Sequence, residues 1–333
     1  MALLVCGGAG YIGSHMVRAL LERGERVVVL DSLRTGHRQA VPAAAAFHAG
    51  DMRDPAVLDA VFSAQPVEAV LHFAAISLVG ESMRRPLDYL DNNVGGMLAL
   101  LEAMRRHGVG RLVFSSSAAV YGEPDSVPVA EDAPLHPASP YGESKLMMER
   151  AAWWAERAHG IRSVVLRYFN VAGAWPDGSL GEDHRPESHL IPRLLLSALG
   201  KLPEFTIFGE DYPTDDGTCV RDYIGVMDLV EAHVRALEHL RRGGASLTCN
   251  LGNGAGFSVR QVVEAVRRVT GLRLKVGSAS RRPGDPARLV ASAGRAEREL
   301  GWKAATGLDA MVAAAWAWHR AHPDGWGGGA PSA

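Results

Sequence analysis

The sequence predicts an α/β fold, a doubly wound parallel sheet with a smaller C-terminal α/β part. Three observations carry that expectation. Short aliphatic and β-branched runs alternate with helix-length amphipathic segments through the first half of the chain, the rhythm of parallel strands with crossover helices. Glycines cluster where the first such run gives way to the first helix, in "VCGGAGYIG". Beyond about residue 170 the rhythm breaks, with proline, glycine and charge concentrated in "WPDGSLGEDHRPESHLIP" and shorter elements after it.

In order, residues 3–6 read as a buried strand, the glycines as a turn, and 11–23 as a helix closed by Gly24. "RVVVL" is a second strand that ends at Asp31, and further strands are expected at 47–49, 69–73, 111–115 and 163–166. In the second part Asp228 caps a helix ending near Gly243, Ser258 caps one ending near Gly271, and 308–322 forms the last. The expected division is therefore 1–170 for the sheet that carries the glycines, 171–322 for the smaller part, and 323–333 for a flexible tail. No fixed-period repeat is present.

Composition narrows the functional class. At 333 residues the chain suits one large or two modest domains. A net charge of −2 with scattered basic residues leaves no electrostatic footprint for nucleic acid. Cys6, Cys219 and Cys249 are odd in number and lie in apolar contexts, which fits reduced, buried thiols in a cytoplasmic protein. No Cys/His spacing resembles a metal-ligand set, so no metal is expected. The apolar stretch 2–6 is too short for a signal segment, and no run approaches the ~20 apolar residues of a membrane span.

The redox-bearing pattern is "SPYGESK". Tyr141 and Lys145 are four apart, which on a helix stacks a phenol beside an ammonium, and Pro140 suits the first turn. Turning a tyrosine of pKa ~10 into a base at neutral pH takes about three units, or ~4 kcal/mol. One cation ~5 Å away at an effective dielectric of ~20 supplies ~3 kcal/mol of that. A second cation such as an oxidised nicotinamide, with a hydroxyl donor such as Ser117 from the triplet Ser115-Ser116-Ser117, would supply the rest.

Gly7, Gly10 and Gly13 occupy the first strand-to-helix turn, where glycine lets the backbone approach a pyrophosphate at a helix N-terminus. Asp31, ending the second strand, would accept ribose hydroxyls and repel a 2′-phosphate, favouring NAD, while Arg34 keeps NADP open. Asp51 either meets the adenine or caps the helix ahead of Pro55.

"GGAGYIGSH", "LHFAA", "VGES", "DNNV", "VFSSSAAVYG", "SPYGESK", "LRYFNVAGA", "IFGEDYPTDDGTCVRDYI", "NLGNG" and "RRPGDPA" occur in that order. Together they resemble the extended short-chain dehydrogenase/reductase superfamily and, within it, the UDP-glucose 4-epimerase family, over residues 1–322. The resemblance implies a Rossmann domain that binds NAD and a smaller part that binds the UDP-hexose. It assigns Tyr141, Lys145 and Ser117 to catalysis. It assigns Gly7, Gly10, Tyr11, Ile12, Gly13, Asp31, Asp51, Met52, Phe73, Ala74, Asn92, Lys145 and Tyr168 to the cofactor. Ser117, Asn170, His189, Leu190, Phe208, Arg221, Arg282, Asp285 and Leu289 fall to the UDP-sugar, the two arginines suiting a diphosphate.

The implied reaction oxidises the sugar at C4, lets the 4-keto sugar turn over, and reduces it on the other face. Tyr141 is then the base, Lys145 holds the nicotinamide ribose, and Ser117 hydrogen-bonds the reacting oxygen. Two departures stand out: Ile76-Ser77 where family members carry a lysine, and Gly225 where they carry histidine. Leu289 falls where members vary between tyrosine and smaller residues, the smaller ones leaving room for N-acetylated UDP-sugars. A dehydratase is disfavoured by Ala118-Ala119, which stand where an Asp/Glu pair would be needed, and a silent dinucleotide-binding regulator need not keep Tyr141, Lys145, Arg221 and Arg282. The apolar side chains of 86–107 and those following Tyr141 exceed a single stripe, which with the resemblance implies a homodimer.

Overall fold

Seven short apolar runs assemble the central sheet. In the computed structural model, which describes residues 1–282 and 285–327, β1 (Ala2–Cys6) is followed by α1 (Tyr11–Glu22), β2 (Val27–Asp31), β3 (Ala46–Ala49), α2 (Pro55–Ala64) and β4 (Val67–His72). Two single helical turns, α3 (Val79–Ser82) and α4 (Pro86–Tyr89), a wide turn at Leu90–Gly95 and α5 (Gly96–Arg106) lead to β5 (Arg111–Ser117), α6 (Pro140–His159) and β6 (Arg162–Tyr168). Next come β7 (Asn170–Ala172), α7 (Leu190–Ala198), β8 (Phe205–Phe208), β9 (Val220–Arg221), β10 (Tyr223–Gly225), α8 (Val226–Arg241) and β11 (Leu247–Leu251). The chain continues through β12 (Phe257–Ser258), α9 (Val259–Thr270), β13 (Val276–Ala279), β14 (Arg288–Leu289), α10 (Gly294–Leu300) and α11 (Leu308–Ala321).

The main sheet is parallel throughout, in the order β11-β6-β5-β4-β1-β2-β3. Helices cover both faces, which is why β1 and β2 are buried at every residue. Leu3, Val5, Met16, Leu20 and Leu237 form the core on the α1/α8 side. Leu4, Phe62, Leu100, Met104 and Met148 form it on the α2/α5/α6 side. A separate core of Ile191, Leu195, Ile207, Val262, Val266 and Met311 lies under α7, α9 and α11.

All six strands expected from the sequence are in this sheet. The seventh, β11, comes from beyond residue 170, so the sheet recruits chain from both sides of the expected division. Ser258 caps α9 in a reciprocal box with Gln261, as its spacing predicts. Asp228 does not cap α8. The cap position is Gly225, and the Asp228 carboxylate, one turn inside, accepts from Ala305 N at 3.1 Å and Thr306 N at 2.8 Å.

Residues 86–106 are helical without a gap, with one turn, Leu90–Gly95, widened to the π form. There Asn93 points inward, exchanging hydrogen bonds with the Ile76 backbone at 2.9 and 3.1 Å and donating to Ser144 Oγ at 2.9 Å. Widened turns of this kind are common at functional sites. Residues 323–327, expected as the start of a mobile tail, are docked: Trp326 packs on Trp318 at 4.8 Å and its N–H donates to Asp183 Oδ2 at 2.9 Å. The rest of that tail, 328–333, lies outside the described residues. No helix among the described residues is long and apolar enough to cross a membrane.

Met97, Leu101, Met104, Leu146 and Met148 are buried within the protomer. Leu87 (75% exposed), Leu98, Met147, Trp153 and Trp154 (62%) from the same two segments face outward. Two apolar layers on one pair of helical segments are what the sequence predicts.

Candidate active site

The start of α6 sets the site. Ser139 Oγ accepts from Gly142 N at 3.2 Å and Pro140 fills the first turn, fixing where the helix begins and holding Tyr141 in that turn. Tyr141, Lys145 and Glu149 then recur every four residues, each opposite one of the three serines ending β5. Lys145 Nζ donates to the Ser115 carbonyl at 2.8 Å. Glu149 accepts from Ser116 Oγ at 2.5 Å and holds the buried Arg167 guanidinium through contacts of 2.6 and 2.9 Å. Ser117, whose Oγ accepts from Ala119 N at 3.1 Å, faces the Tyr141 phenol. The β5–β6 register pairs Ser117 with Tyr168, bringing that second phenol close to Tyr141.

Burial pushes the Tyr141 phenol above its ordinary value, and the Ser117 hydrogen bond offsets this only in part. Burial likewise pushes Lys145 down to about 7, with Glu149 opposing. The ammonium lies 6.0 Å from the Tyr141 ring centroid and is engaged by a carbonyl. Burial is the larger cause for each group and Lys145 is not among the groups acting on the phenol, so Lys145 by itself does not make Tyr141 a base.

The cleft at the C-terminal ends of β1, β2 and β4 is lined by Gly7, Gly10, Asp31, Asp51, Met52, Phe73, Ala74 and Asn92, together with Arg34 and Ile76. Gly7 has φ +79°, and a Cβ there would lie 2.5 Å from Ala74 N. At Gly13 a Cβ would lie 2.0 Å from Gly7 O, so the turn closes only on glycine. Gly10 caps α1 without a side-chain bond, and no acidic residue sits in the first turn, leaving its amides open to an anion. Tyr11 Oη donates to Gly173 O at 2.7 Å and Ile12 packs into the core, so both offer a ligand only their backbone.

Asp31 accepts from Ala9 N at 2.9 Å and Leu33 N at 2.8 Å, fixing its carboxylate at the cleft wall. Burial raises its carboxyl above the ordinary value against the pull of those amides. Of the two readings of Asp51, the cap is excluded: Asp54 caps α2, accepting from Ala56 N at 2.9 Å, and Asp51 pairs with Arg53 at the cleft. Ile76 is buried on the cleft wall and Ser77 is exposed, so no cation stands where the lysine was missed.

Among the described C-terminal residues, Arg221 of β9 lies in register with Leu289 of β14 and pairs with Asp285 at 2.6 Å. The Arg282 guanidinium stacks 3.9 Å over Phe208. Asn170 Nδ2 donates to Asp222 O at 3.0 Å, His189 precedes α7, and Leu190 opens it. Leu289 packs on the cluster of Ala118, Tyr121 and Phe169 beside Ser117.

Asp222 was not foreseen. Its buried carboxylate accepts from Asn253 N, Gly254 N and Ala291 N at 2.7, 2.9 and 3.0 Å, tying two loops to the strand after Arg221. An acidic residue inside an apolar "VRDYIGV" run was the available signal. Also unforeseen is the convergence of Glu182, His184, Glu187 and His189. Gly225 now has a reason: a Cβ there would lie 2.9 Å from Thr306 Cβ, so this chain spends the space a side chain would need on Thr306.

A switch-point cleft with glycine-only walls, open helix amides and a fixed carboxylate accommodates a dinucleotide, and a Tyr–Lys pair at its edge suits redox chemistry. The class is a nicotinamide-dependent enzyme of the extended short-chain dehydrogenase/reductase type. The family model for the NAD dependent epimerase/dehydratase family matches residues 3–252. A UDP-glucose 4-epimerase of Streptococcus mutans is 55% identical over 98% of this chain and 99% of its own. A crystal structure of a UDP-glucose 4-epimerase superposes with a TM-score of 0.97 at 50% identity, covering 98% and 100% of the two chains. That of the Bifidobacterium longum UDP-glucose 4-epimerase in complex with NAD+ and UDP gives 0.93 at 38%, covering 98% and 100%. The chain belongs to the NAD dependent epimerase/dehydratase family and, within it, to the UDP-glucose 4-epimerase family, and its cofactor is NAD.

The Lys145 shift has a measurable consequence in the nucleotide-free chain. Its folded pKa, about 7, lies below the unfolded value of 10.5, so between those values the unfolded state binds the extra proton. Stability should rise with pH across that window and level off above it. Comparing denaturant midpoints, Lys145→Met is expected to lose this part of the rise; an unchanged pH slope would contradict the buried, destabilised ammonium.

Proposed function

We propose that the protein interconverts UDP-galactose and UDP-glucose by epimerisation at C4, with NAD retained and not consumed. The observation that carries the reading is the convergence of Tyr141, Ser117 and Lys145 at the mouth of the dinucleotide cleft, next to Leu289 and the Arg221 strand. Tyr141 Oη takes the proton of the sugar 4-hydroxyl and later returns it. Ser117 holds the same oxygen by a hydrogen bond, and Lys145, with one N–H on Ser115 O, has two left for the cofactor ribose. When bound, NAD would supply a reversible hydride acceptor for C4 and a positive ring whose charge would favour the phenolate. Arg221 and Arg282 bind the diphosphate, Asp285 orienting the first and Phe208 supporting the second. Asn170, His189 and Leu190 line the path of the UDP-sugar.

Purified protein incubated with UDP-galactose should yield UDP-glucose without net NADH. Tyr141→Phe keeps the ring and removes the base, so kcat is expected to fall by ~10²–10⁴ with UDP affinity nearly unchanged. Near-normal turnover in that variant would falsify Tyr141 as the base.

The same reading extends to assembly and substrate breadth. Leu87, Leu98, Met147, Trp153 and Trp154 form an outward apolar face that a second copy covers, giving a homodimer in the cytoplasm. Light scattering at micromolar concentration should report the dimer mass for the wild type and the monomer mass for Trp154→Glu; a monomeric wild type overturns the dimer.

Leu289, smaller than tyrosine and packed beside Ser117, leaves room at the sugar for a 2-acetamido group. UDP-N-acetylglucosamine should therefore be turned over by the wild type, and Leu289→Tyr should suppress that activity while sparing UDP-galactose, overpacking costing ~1–3 kcal/mol or more. Equal loss of both activities, or none on the N-acetyl sugar in the wild type, counts against it.

A further inference from the structure

The segment before α7 carries the pattern E-x-H-x-x-E-x-H, and its four side chains converge. One donor atom from each of Glu182, His184, Glu187 and His189 lies within 4.8 Å of the other three. Both imidazoles turn Nδ1 toward Glu182 Oε1, His184 at 3.0 Å and His189 at 2.5 Å. Both also approach Glu187, His184 at 3.9 Å from Oε2 and His189 at 3.8 Å from Oε1. The Glu182 and Glu187 side chains are only 4% and 7% exposed, and among the described residues neither is paired with a lysine or arginine.

Two carboxylates held this close and out of water are stabilised by a shared proton or by positive charge. Each imidazole meets Glu182 through Nδ1, as the Nδ1–H tautomer or as imidazolium, and a cation among the four groups would displace those protons. Two imidazolium rings would face each other with centroids 5.3 Å apart. A single divalent ion provides the same charge and satisfies both nitrogens and both carboxylates at once.

We propose that Glu182, His184, Glu187 and His189 form a binding site for a zinc-class divalent cation, with one nitrogen from each histidine and one oxygen from each glutamate. Bond lengths of ~2.1 Å in a tetrahedral shell put neighbouring ligand atoms ~3.4 Å apart. The separations of 2.5 and 3.0 Å from the two imidazoles to Glu182 Oε1 and of 3.8 Å from His189 to Glu187 Oε1 bracket that value. Two imidazoles in a set of four suit zinc, and hard ions such as magnesium prefer an all-oxygen shell with several waters.

The outer support is present as well. Glu187 Oε1 accepts from Ser188 N at 2.7 Å and His189 N at 2.8 Å, fixing that carboxylate. Trp318 Nε1 donates to the Glu182 carbonyl at 3.1 Å, and the Tyr11 ring stands edge-on to His184. All four groups lie in the segment ahead of α7, which Trp318 and Tyr11 hold against α11 and α1.

The test needs no turnover and so stands or falls apart from the reaction proposed above. The untagged full chain, stripped with a chelator near neutral pH, is titrated calorimetrically with zinc chloride, with nickel and magnesium chlorides as comparisons. X-ray absorption at the zinc edge is then recorded on the loaded protein. One zinc per chain is expected, with an all N/O shell containing two imidazoles, no uptake of magnesium, and a higher melting temperature. Glu182→Gln and His184→Asn should each weaken zinc at least about tenfold. No stoichiometric uptake by the wild type overturns the proposal, as does a shell without imidazole or binding unchanged in the double variant. Where a variant fails to fold, the wild-type stoichiometry and spectrum decide.

Discussion

The register of α6 against β5 is the constraint on which the site depends. Glu149 is the anchor, a buried carboxylate joined to Arg167 of β6 and to Ser116 of β5. Removing one partner of such a pair strands the other charge in the core at a cost of ~3–5 kcal/mol, so the helix has one energetically acceptable seating. Lys145 and Tyr141 follow one and two turns nearer the N-terminus and inherit that seating. A shift by one residue would remove the phenol from Ser117, the ammonium from the Ser115 carbonyl and the carboxylate from Arg167 together. Ser139 fixes the start of the same helix, so its position is determined at both ends of the ladder.

That seating buries Lys145 and partly buries Tyr141, and burial disfavours the charged form of each. The lysine is weakened as an acid's counterpart, down to about 7, and the phenol is raised. The cleft beside them has opposite preferences: open amides at α1 for an anion and a fixed carboxylate at Asp31 for hydroxyls. A site of this kind is incomplete until the dinucleotide is bound, which couples cofactor occupancy to the ionisation that proton transfer needs.

The C-terminal part is tied to the sheet by polar contacts as much as by packing. Asp222 gathers the loops at 253–254 and 291, and Asp228 holds the loop at 305–306 ahead of α11. Thr306 in that loop fills the space over Gly225, so the departure at that position and the helix-cap correction at Asp228 share one cause. Arg221 is placed by the small sheet of β12, β9 and β14, in which it sits in register with Leu289. Any change at Leu289 is therefore felt directly beside Arg221, the arginine proposed for the diphosphate.

The sequence by itself determined the elements whose signal is local. Six strands, the glycine turn, the Ser258 box, Pro140 opening a helix and the i, i+4 placement of Tyr141 and Lys145 follow from periodicity, capping and steric rules that act within a few residues. Two apolar layers on the segments around 86–107 and after Tyr141 were equally legible. What required the tertiary structure was every property set by groups distant in the chain. Burial, not proximity, decides the direction of the Tyr141 and Lys145 shifts; the widened turn where Asn93 bonds to Ile76 is not signalled by periodicity. Trp318 and Asp183 dock Trp326 although its glycine-rich neighbours read as a free tail, and β11 joins a sheet begun some two hundred and forty residues earlier. Local propensity fixes which conformations are cheap, but desolvation and long-range pairing depend on what surrounds a residue, and those surroundings exist only once the chain has folded.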